Sequence, residues 1–193
     1  MRARDQVRKA LAAYFRRMRG TASRTATRQR VSVVLLSWAA AFIGIFLISV
    51  PALYPGFPLS TKLFLIGSFG ASAALLYGAP HSDFAQPRNL VVGQLVSALV
   101  GVTAYKLLGA HVGLAGGLAV ATSIAILQVT HSLHPPAGAT ALIAVLGPAK
   151  VHELGYEYVF TPVLVGALIL LVVALVVNNL SPHESRHYPT MWW

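Results

Sequence analysis

The pattern of apolar and polar positions divides the chain into long uncharged stretches separated by short polar or proline-rich breaks. Residues 31–50 form an uncharged run of 20 residues, which is long enough, at about 1.5 Å per residue, to cross a hydrocarbon core of about 30 Å. Further apolar stretches cover residues 89–105, 111–130 and 158–177. These four stretches predict membrane-crossing helices, and a proline-rich loop at residues 51–58 is expected after the first.

Two shorter apolar segments complete the pattern. Residues 63–79 are rich in Gly, Ala and Ser, a composition typical of a helix that packs against protein instead of lipid. Residues 135–148 provide only about 21 Å of helix, so this segment is expected to be a half-helix or a re-entrant piece. The sequence therefore predicts an all-α, polytopic helical membrane protein with four to six membrane segments that include short half-helices.

The two short segments resemble each other. Gly70 precedes Pro80 by the same interval as Gly138 precedes Pro148, and each glycine is followed by small residues. This favours an internal duplication, as in many transporters. If all six segments cross, each half has three passes, so the halves are inverted and both termini are cytoplasmic.

Small residues also recur every fourth position in two of the long stretches. One face of a helix collects residues at this interval, and small side chains let two backbones approach closely. We therefore expect close helix packing along two stripes, Gly93–Ser97–Gly101 and Gly113–Gly117–Ala121–Ala125.

Composition and charge sharpen this view. Only 10% of residues are charged, against about a quarter in soluble domains, which excludes an ordinary soluble enzyme, and the chain contains no cysteine. Ten of the 15 Lys and Arg residues precede residue 31, where Asp5 is the only acid. An arginine-rich arm beside an apolar 20-mer is the pattern that the positive-inside rule describes. This favours a membrane function of the arm over nucleic-acid binding. We expect the N-terminus to be cytoplasmic and the membrane to be a bacterial inner membrane.

The chain is accordingly divided into a basic arm (residues 1–30), a transmembrane domain (31–180) and an aromatic C-terminal tail (181–193). Within the arm, Val7, Leu11 and Tyr14 recur at helical spacing. This predicts an amphipathic helix on anionic lipid headgroups; a solvated tail is the alternative.

The densest polar cluster is residues 130–140, between two apolar stretches. His134 is followed by Pro135 and Pro136, and proline favours the first turn of a helix while disfavouring helix just before it. A chain break is thus expected at His134, with a new helix starting at the prolines. A helix start presents N–H groups and a positive dipole end, which favour an anion; the segment around Ser68 and Gly70 would be its counterpart.

The sequence here resembles the HPP family of integral membrane proteins. The resemblance is carried by His134-Pro135-Pro136 with residues 137–141, by residues 68–73, by residues 85–89 with Gly93, and by Tyr188-Pro189. It covers roughly residues 45–190. Plant plastid and cyanobacterial members are described as nitrite transporters, so the resemblance implies transport of a small anion such as nitrite.

Nitrite requires hydrogen-bond donors and a positive potential. The candidate substrate-binding residues are Ser68, Gly70, Ser72, Arg88, His134, Pro135, Pro136, Gly138 and Thr140. Arg88 either supplies a full charge or serves as a positive-inside anchor at a helix end. His134, whose ordinary pKa is near 6.5, either couples proton movement to anion movement or is a hydrogen-bonded structural residue.

Other polar residues have expected structural roles. Gln86 and Asn89 flank Pro87, and either side chain is expected to cap the helix that starts there. Asn178 and Asn179 are expected to end the last span or to bond to a neighbouring helix. The tail from Tyr188 to Trp193 resembles an interfacial anchor.

We expect no enzymatic activity, since the sequence offers no nucleophile–base pair. His131 and His134 lack a third metal ligand, and no cofactor is implied. The expected function is passive or proton-linked movement of a small monovalent anion by a homo-oligomer. The alternative is a membrane scaffold or regulatory subunit that does not transport.

Overall fold

The computed structural model describes residues 2–18, 29–50, 66–182 and 186–193, and the loop expected at residues 51–58 lies outside these ranges. The chain forms two compact units, residues 1–30 and residues 31–193. In the first unit, helix α1 spans Arg2–Met18. Helices are the only regular elements in the described ranges, so the all-α prediction is confirmed.

Most of the described helices of the second unit are joined by short connections. Short 3-10 turns at Asp83–Ala85 and Gly109–His111 connect neighbouring helices, and a π-type segment, Val159–Leu164, leads into the last one. The bounds are α2 Val31–Ser49, α3 Gly67–Gly78, α4 Pro87–Leu108, α5 Val112–Val129, α6 Pro135–Leu146, α7 Ala149–Leu154 and α8 Val165–Asn179.

Length divides these helices into two kinds. Three helical stretches are long and apolar enough to cross a membrane: Val31–Ser49, Pro87–Val129 and Val159–Asn179. The second of them folds back at Gly109–His111 into α4 and α5. Helices α3 and α6 have 12 residues each, or about 18 Å. The expected polytopic membrane fold with short half-helices is therefore confirmed.

Within the second unit, the helices other than the short α7 run in alternating directions. The start of α4 meets the end of α5, because the Arg88 guanidinium donates to the Thr130 carbonyl at 2.8 Å. The end of α3 meets the end of α8 through a 3.1 Å bond from Asn178 to the Leu76 carbonyl. We call this side of the unit the tail face, since the C-terminal segment also lies there.

The opposite face collects the other helix ends. The His152 ring, in α7, stacks on Tyr105 near the end of α4, with 3.7 Å between ring centroids. The start of α3 lies there too, since Ile66 and Gly67 border a cavity of about 340 Å³ together with the end of α6. Helix α3 therefore runs towards the tail face and α6 away from it.

The two short helices contact each other. Helix α3 also packs against α2 and α8, whereas α6 packs against α4 and α5. Each of these two helices thus packs against two longer ones, and the buried apolar side chains form two clusters, a larger one around α3 and α8 and a smaller one between α5 and α6.

Close packing occurs along only one of the two expected stripes. A Cβ added at Gly93 would lie 2.7 Å from the His134 Cβ, and one added at Gly101 would lie 2.5 Å from the Ala141 carbonyl oxygen. Ser97 between them is fully buried. The α4 stripe therefore contacts α6 as expected.

The α5 stripe makes no such contact within the described part of this chain, since Gly113, Gly117, Ala121 and Ala125 are all exposed. Helix α5 buries its adjacent face instead, through Ala115, Gly116, Ala119, Ser123 and Leu127. Both faces of α5 carry small residues, so the four-residue interval did not distinguish the face that packs from the one that does not.

Candidate functional site

Five buried polar side chains form a continuous hydrogen-bonded row between α3, α4 and α6. We call this row, Ser68–Thr140–Gln94–Ser72–His134, the polar chain. Ser68 Oγ lies 2.7 Å from Thr140 Oγ1, and Thr140 also bonds Gln94 Oε1. Gln94 Nε2 donates to Ser72 Oγ at 3.0 Å, and Ser72 Oγ lies 2.8 Å from His134 Nε2. All five side chains are fully buried.

The hydrogen bonds of His134, at one end of the polar chain, determine which groups donate and which accept there. His134 Nδ1 lies 2.7 Å from the Phe84 carbonyl, which can only accept, so Nδ1 carries a proton. In the neutral ring Nε2 then accepts from the Ser72 hydroxyl. Thr140 Oγ1 is placed to donate both to Ser68 Oγ and to Gln94 Oε1, so its single proton serves one of these two acceptors at a time.

The chain break before α6 lies well below the tail face. Helix α6 begins at Pro135 after an extended residue at His134, as expected from the two prolines. His134 packs on Gly93, which is six residues into α4 and thus about 9 Å along it. Irregular backbone at this depth is tolerated only where protein or a cavity surrounds it.

The start of α6 has fewer backbone donors than expected. Pro135 and Pro136 have no N–H group, and the Ala137 N–H donates to the His134 carbonyl at 2.9 Å. The expectation of unpaired N–H groups at the first three positions is therefore wrong, and the donors near this break are side chains of the polar chain.

A cavity of about 520 Å³ lies between α5 and α6, beside the break. Pro135 and Gly138 line it on one side and Ser123 on the other. Ser123 is fully buried and its hydroxyl has no partner. Most other lining side chains are aliphatic. Gly70, in contrast, is exposed, and a Cβ there would meet no atom within 4 Å.

Residues at the start of α4 support the break and do not cap the helix. Gln86 precedes α4, which begins at Pro87, but makes no capping bond; its Nε2 donates instead to the carbonyls of Pro80 and Ser82. Asn89 donates to the Leu133 carbonyl at 2.9 Å. The capping role expected for Gln86 or Asn89 is therefore wrong.

Arg88 is half-buried and donates to the carbonyl that ends α5. A cation is favourable at a helix C-terminus, so this contact supports the anchor interpretation of Arg88.

The C-terminal tail is bonded into the tail face by a buried arginine. Arg186 is only 2% exposed. It donates to the Asn178 amide oxygen at 2.6 Å, to the Tyr77 carbonyl at 3.0 Å and to Ser37 Oγ at 2.8 Å. Its described partners include no carboxylate, and its Nε–H has no partner. Burial lowers the pKa of the guanidinium, although arginine remains charged in proteins.

Helix ends compensate this charge. Tyr77 is next to the last residue of α3, and Asn178 is next to the last residue of α8. Each helix C-terminus carries roughly half a negative charge, so two of them can balance one guanidinium. Asn178 thus bonds to a neighbouring helix, as expected.

The next tail residues continue the attachment. Asn179 accepts from the Tyr188 N–H at 3.1 Å and donates to the Tyr188 carbonyl. The Tyr188 hydroxyl donates to the Ala85 carbonyl at 2.8 Å, and burial raises the pKa of this hydroxyl. Gln86 Oε1 accepts from the Thr190 N–H at 2.9 Å. Tyr188 is therefore a core residue, while Trp192 and Trp193 are exposed.

Sequence reasoning missed two important residues. Gln94, which joins the two halves of the polar chain, is not among the predicted site residues, although an amide in the middle of an apolar span is itself a signal. Arg186 could have been recognised as a lone cation close to the last span. Among the described residues, no group of three His, Asp or Glu side chains is placed to hold a metal ion.

Comparison with known proteins agrees with this architecture. The chain is similar to two transmembrane proteins of Dictyostelium discoideum, with 44% identity over 81% of this chain and 41% identity over 93% of it. It spans 55% and 57% of the length of these relatives. No solved structure matches. The family model for the HPP transmembrane region matches residues 26–189, and the chain therefore belongs to the HPP family of membrane proteins.

Proposed function

We propose that this protein moves a small monovalent anion across the membrane, with nitrite as the leading candidate. The observation that carries the proposal is the polar chain, which places five buried polar side chains between half-helices of a membrane domain. Polar groups at such depth are costly and commonly mark a transport path.

The chemistry of the polar chain suits a weakly held anion. Its hydroxyls, on Ser68, Ser72 and Thr140, bond only to neutral side chains of the polar chain, and a hydroxyl can rotate to donate to an anion that enters between them. A neutral site of this kind replaces part of the hydration shell without holding the ion tightly. Conduction requires this balance between entry and release.

His134 would link the anion to a proton. When Nε2 takes up a proton it becomes a second donor, and the Ser72 hydroxyl must turn away to accept from it. The ring then carries a positive charge beside the hydroxyls. An anion and a proton would thus enter together, and the pair would cross with no net charge.

An inverted duplication is part of the proposal. The halves would be α2–α3–α4 and α5–α6–α8. The contacts match under this exchange: α3 packs against α2 and α8, and α6 packs against α5 and α4. Ser72 and Thr140 occupy equivalent positions, and Gln94 bonds both. These matches support a transport site at the interface of two inverted repeats.

The test is nitrite uptake by purified protein in liposomes, with and without an inward proton gradient. We expect uptake with the native chain, and at least about a tenfold loss with Ser72→Ala, as when one buried hydrogen bond costs about 1.4 kcal/mol. His134→Gln should abolish the response to the proton gradient.

The matched control is Ser97→Ala. Ser97 lies on the same helix as Gln94 and is fully buried, but its hydroxyl has no partner, so its removal should leave uptake unchanged. Equal loss in Ser97→Ala and Ser72→Ala would contradict a specific role for the polar chain. No uptake of nitrite, nitrate, formate or chloride by folded protein would favour the non-transporting scaffold.

A further inference from the structure

We propose that α1 lies flat on an anionic membrane surface, with one apolar stripe in the boundary between headgroups and acyl chains. This inference concerns the first unit only and does not depend on the proposed transport. Lipid is the occupant to which the stripe and the charge of the arm both point.

The stripe is formed by Val7, Leu11 and Tyr14. Their spacing of four and three residues places them on one face of a helix, and the structure has a helix throughout this region. The three side chains are 59%, 51% and 54% exposed. An exposed apolar face is the feature by which an amphipathic helix binds a membrane surface.

The remaining faces carry the charge. At about 100° per residue, Lys9 projects nearly opposite the stripe and Arg8 to its side, and both are exposed. Asp5 is the only acid in the first 30 residues, against ten Lys and Arg. A basic polar face together with an apolar face distinguishes a helix that binds anionic lipid from one that packs in a protein core.

The arm is also tethered close to a bilayer. Helix α2, a candidate membrane span, begins at Val31, and 12 residues separate it from the end of α1 at Met18. Such a linker reaches at most about 40 Å. The arm therefore meets the membrane surface at high effective concentration, and two weak signals suffice to hold it there.

The absence of cysteine from the chain makes spin labelling a direct test. Single cysteines would replace Val7 and Leu11 on the stripe, and Lys9 and Ala12 on the other side, in the full chain. Each labelled protein would be placed in liposomes with or without anionic lipid. Collision of the nitroxide with oxygen, which partitions into lipid, is compared with collision with a water-soluble nickel chelate.

We expect labels at residues 7 and 11 to favour oxygen, and labels at residues 9 and 12 to favour nickel, in anionic liposomes. The difference should shrink without anionic lipid or at high salt. Replacing both Arg8 and Lys9 by Gln should weaken surface binding by about 30-fold, since each basic residue contributes about fivefold.

Two results would overturn the proposal. Equal nickel accessibility at all four positions in anionic liposomes would identify a solvated tail. Protection at residues 7 and 11 that persists regardless of lipid charge and salt would identify packing against protein, either the membrane domain or a second copy.

Discussion

Helices α3 and α6 have the same length, and each has a glycine as its fourth residue, yet their ends are built differently. Helix α6 starts with two prolines inside the unit, where no backbone donor is free at its first three positions. Helix α3 starts with Gly67 and Ser68 at the opposite face and ends under the C-terminal tail. Similar sequence segments therefore differ in what their ends offer: α6 presents a histidine at its start, whereas α3 presents at its end a carbonyl, that of Tyr77, which binds a cation.

The largest loss of stability is expected from substitutions at the glycines that the two short helices contact. A side chain at Gly101 would collide with the backbone of α6, and one at Gly166 would lie 2.2 Å from the buried Phe69 ring of α3. Overpacking costs about 1–3 kcal/mol or more. We expect Gly101→Val and Gly166→Val to lose most monodisperse protein in detergent size-exclusion chromatography.

Gly117→Val is the control for this pair, because nothing lies within 4 Å of a Cβ at that position. It should behave like the native chain. Normal yield and melting temperature for Gly101→Val would show that α6 does not need the close contact with α4.

A smaller effect, centred on the helix segments that Arg186 contacts, is expected from Arg186→Gln. The substitution removes a charged donor from the carbonyl of Tyr77 and the amide of Asn178, a loss of about 2 kcal/mol for buried bonds to a charged group. Amide hydrogen exchange should accelerate at the end of α3 and stay unchanged in α6. Arg88→Gln, at a half-buried position with one such bond, should cost about half as much. Faster amide exchange in both α3 and α6 of the Arg186→Gln variant would mean that the C-terminal tail stabilises the whole unit.

The smallest structural effect should come from Gly70→Ala and Gly138→Ala. The nearest atom to a Cβ at Gly138 is 3.9 Å away, and Gly70 has open space. Alanine also favours helix by up to about 1 kcal/mol, so both variants should melt at or slightly above the native temperature. Nitrite uptake should fall in Gly138→Ala alone, because Gly138 lines the cavity at the break and Gly70 is exposed. Equal uptake in the two variants would place the anion elsewhere.

Hydrophobic patterning identified the architecture because lipid forces long apolar runs into helices. The break at His134 and the start of α6 at Pro135 also followed from local chemistry, since proline restricts the backbone on both of its sides. The polar chain was only partly foreseen: Ser68, Ser72, His134 and Thr140 were candidates for one site, and the structure brings them together.

Other features depend on contacts between distant residues. The role of Gln86 required knowing that Thr190 lies beside it, more than a hundred residues later. The face that α5 buries depends on how α5 packs against α4 and α6, and its repeated small residues fit two faces equally well. The role of Arg186 could not be predicted from periodicity, because it depends on partners that lie on three different helices.

The partners of Arg186 determine how firmly the C-terminal segment stays attached to the tail face. A guanidinium paired with a carboxylate is released when acid neutralises its partner, and dissolved ions weaken such a pair. Here the described partners are neutral oxygens with no proton to gain near neutral pH, and they are shielded from bulk electrolyte. The C-terminal segment should therefore stay attached over changes in pH and ionic strength that would break an ordinary salt bridge.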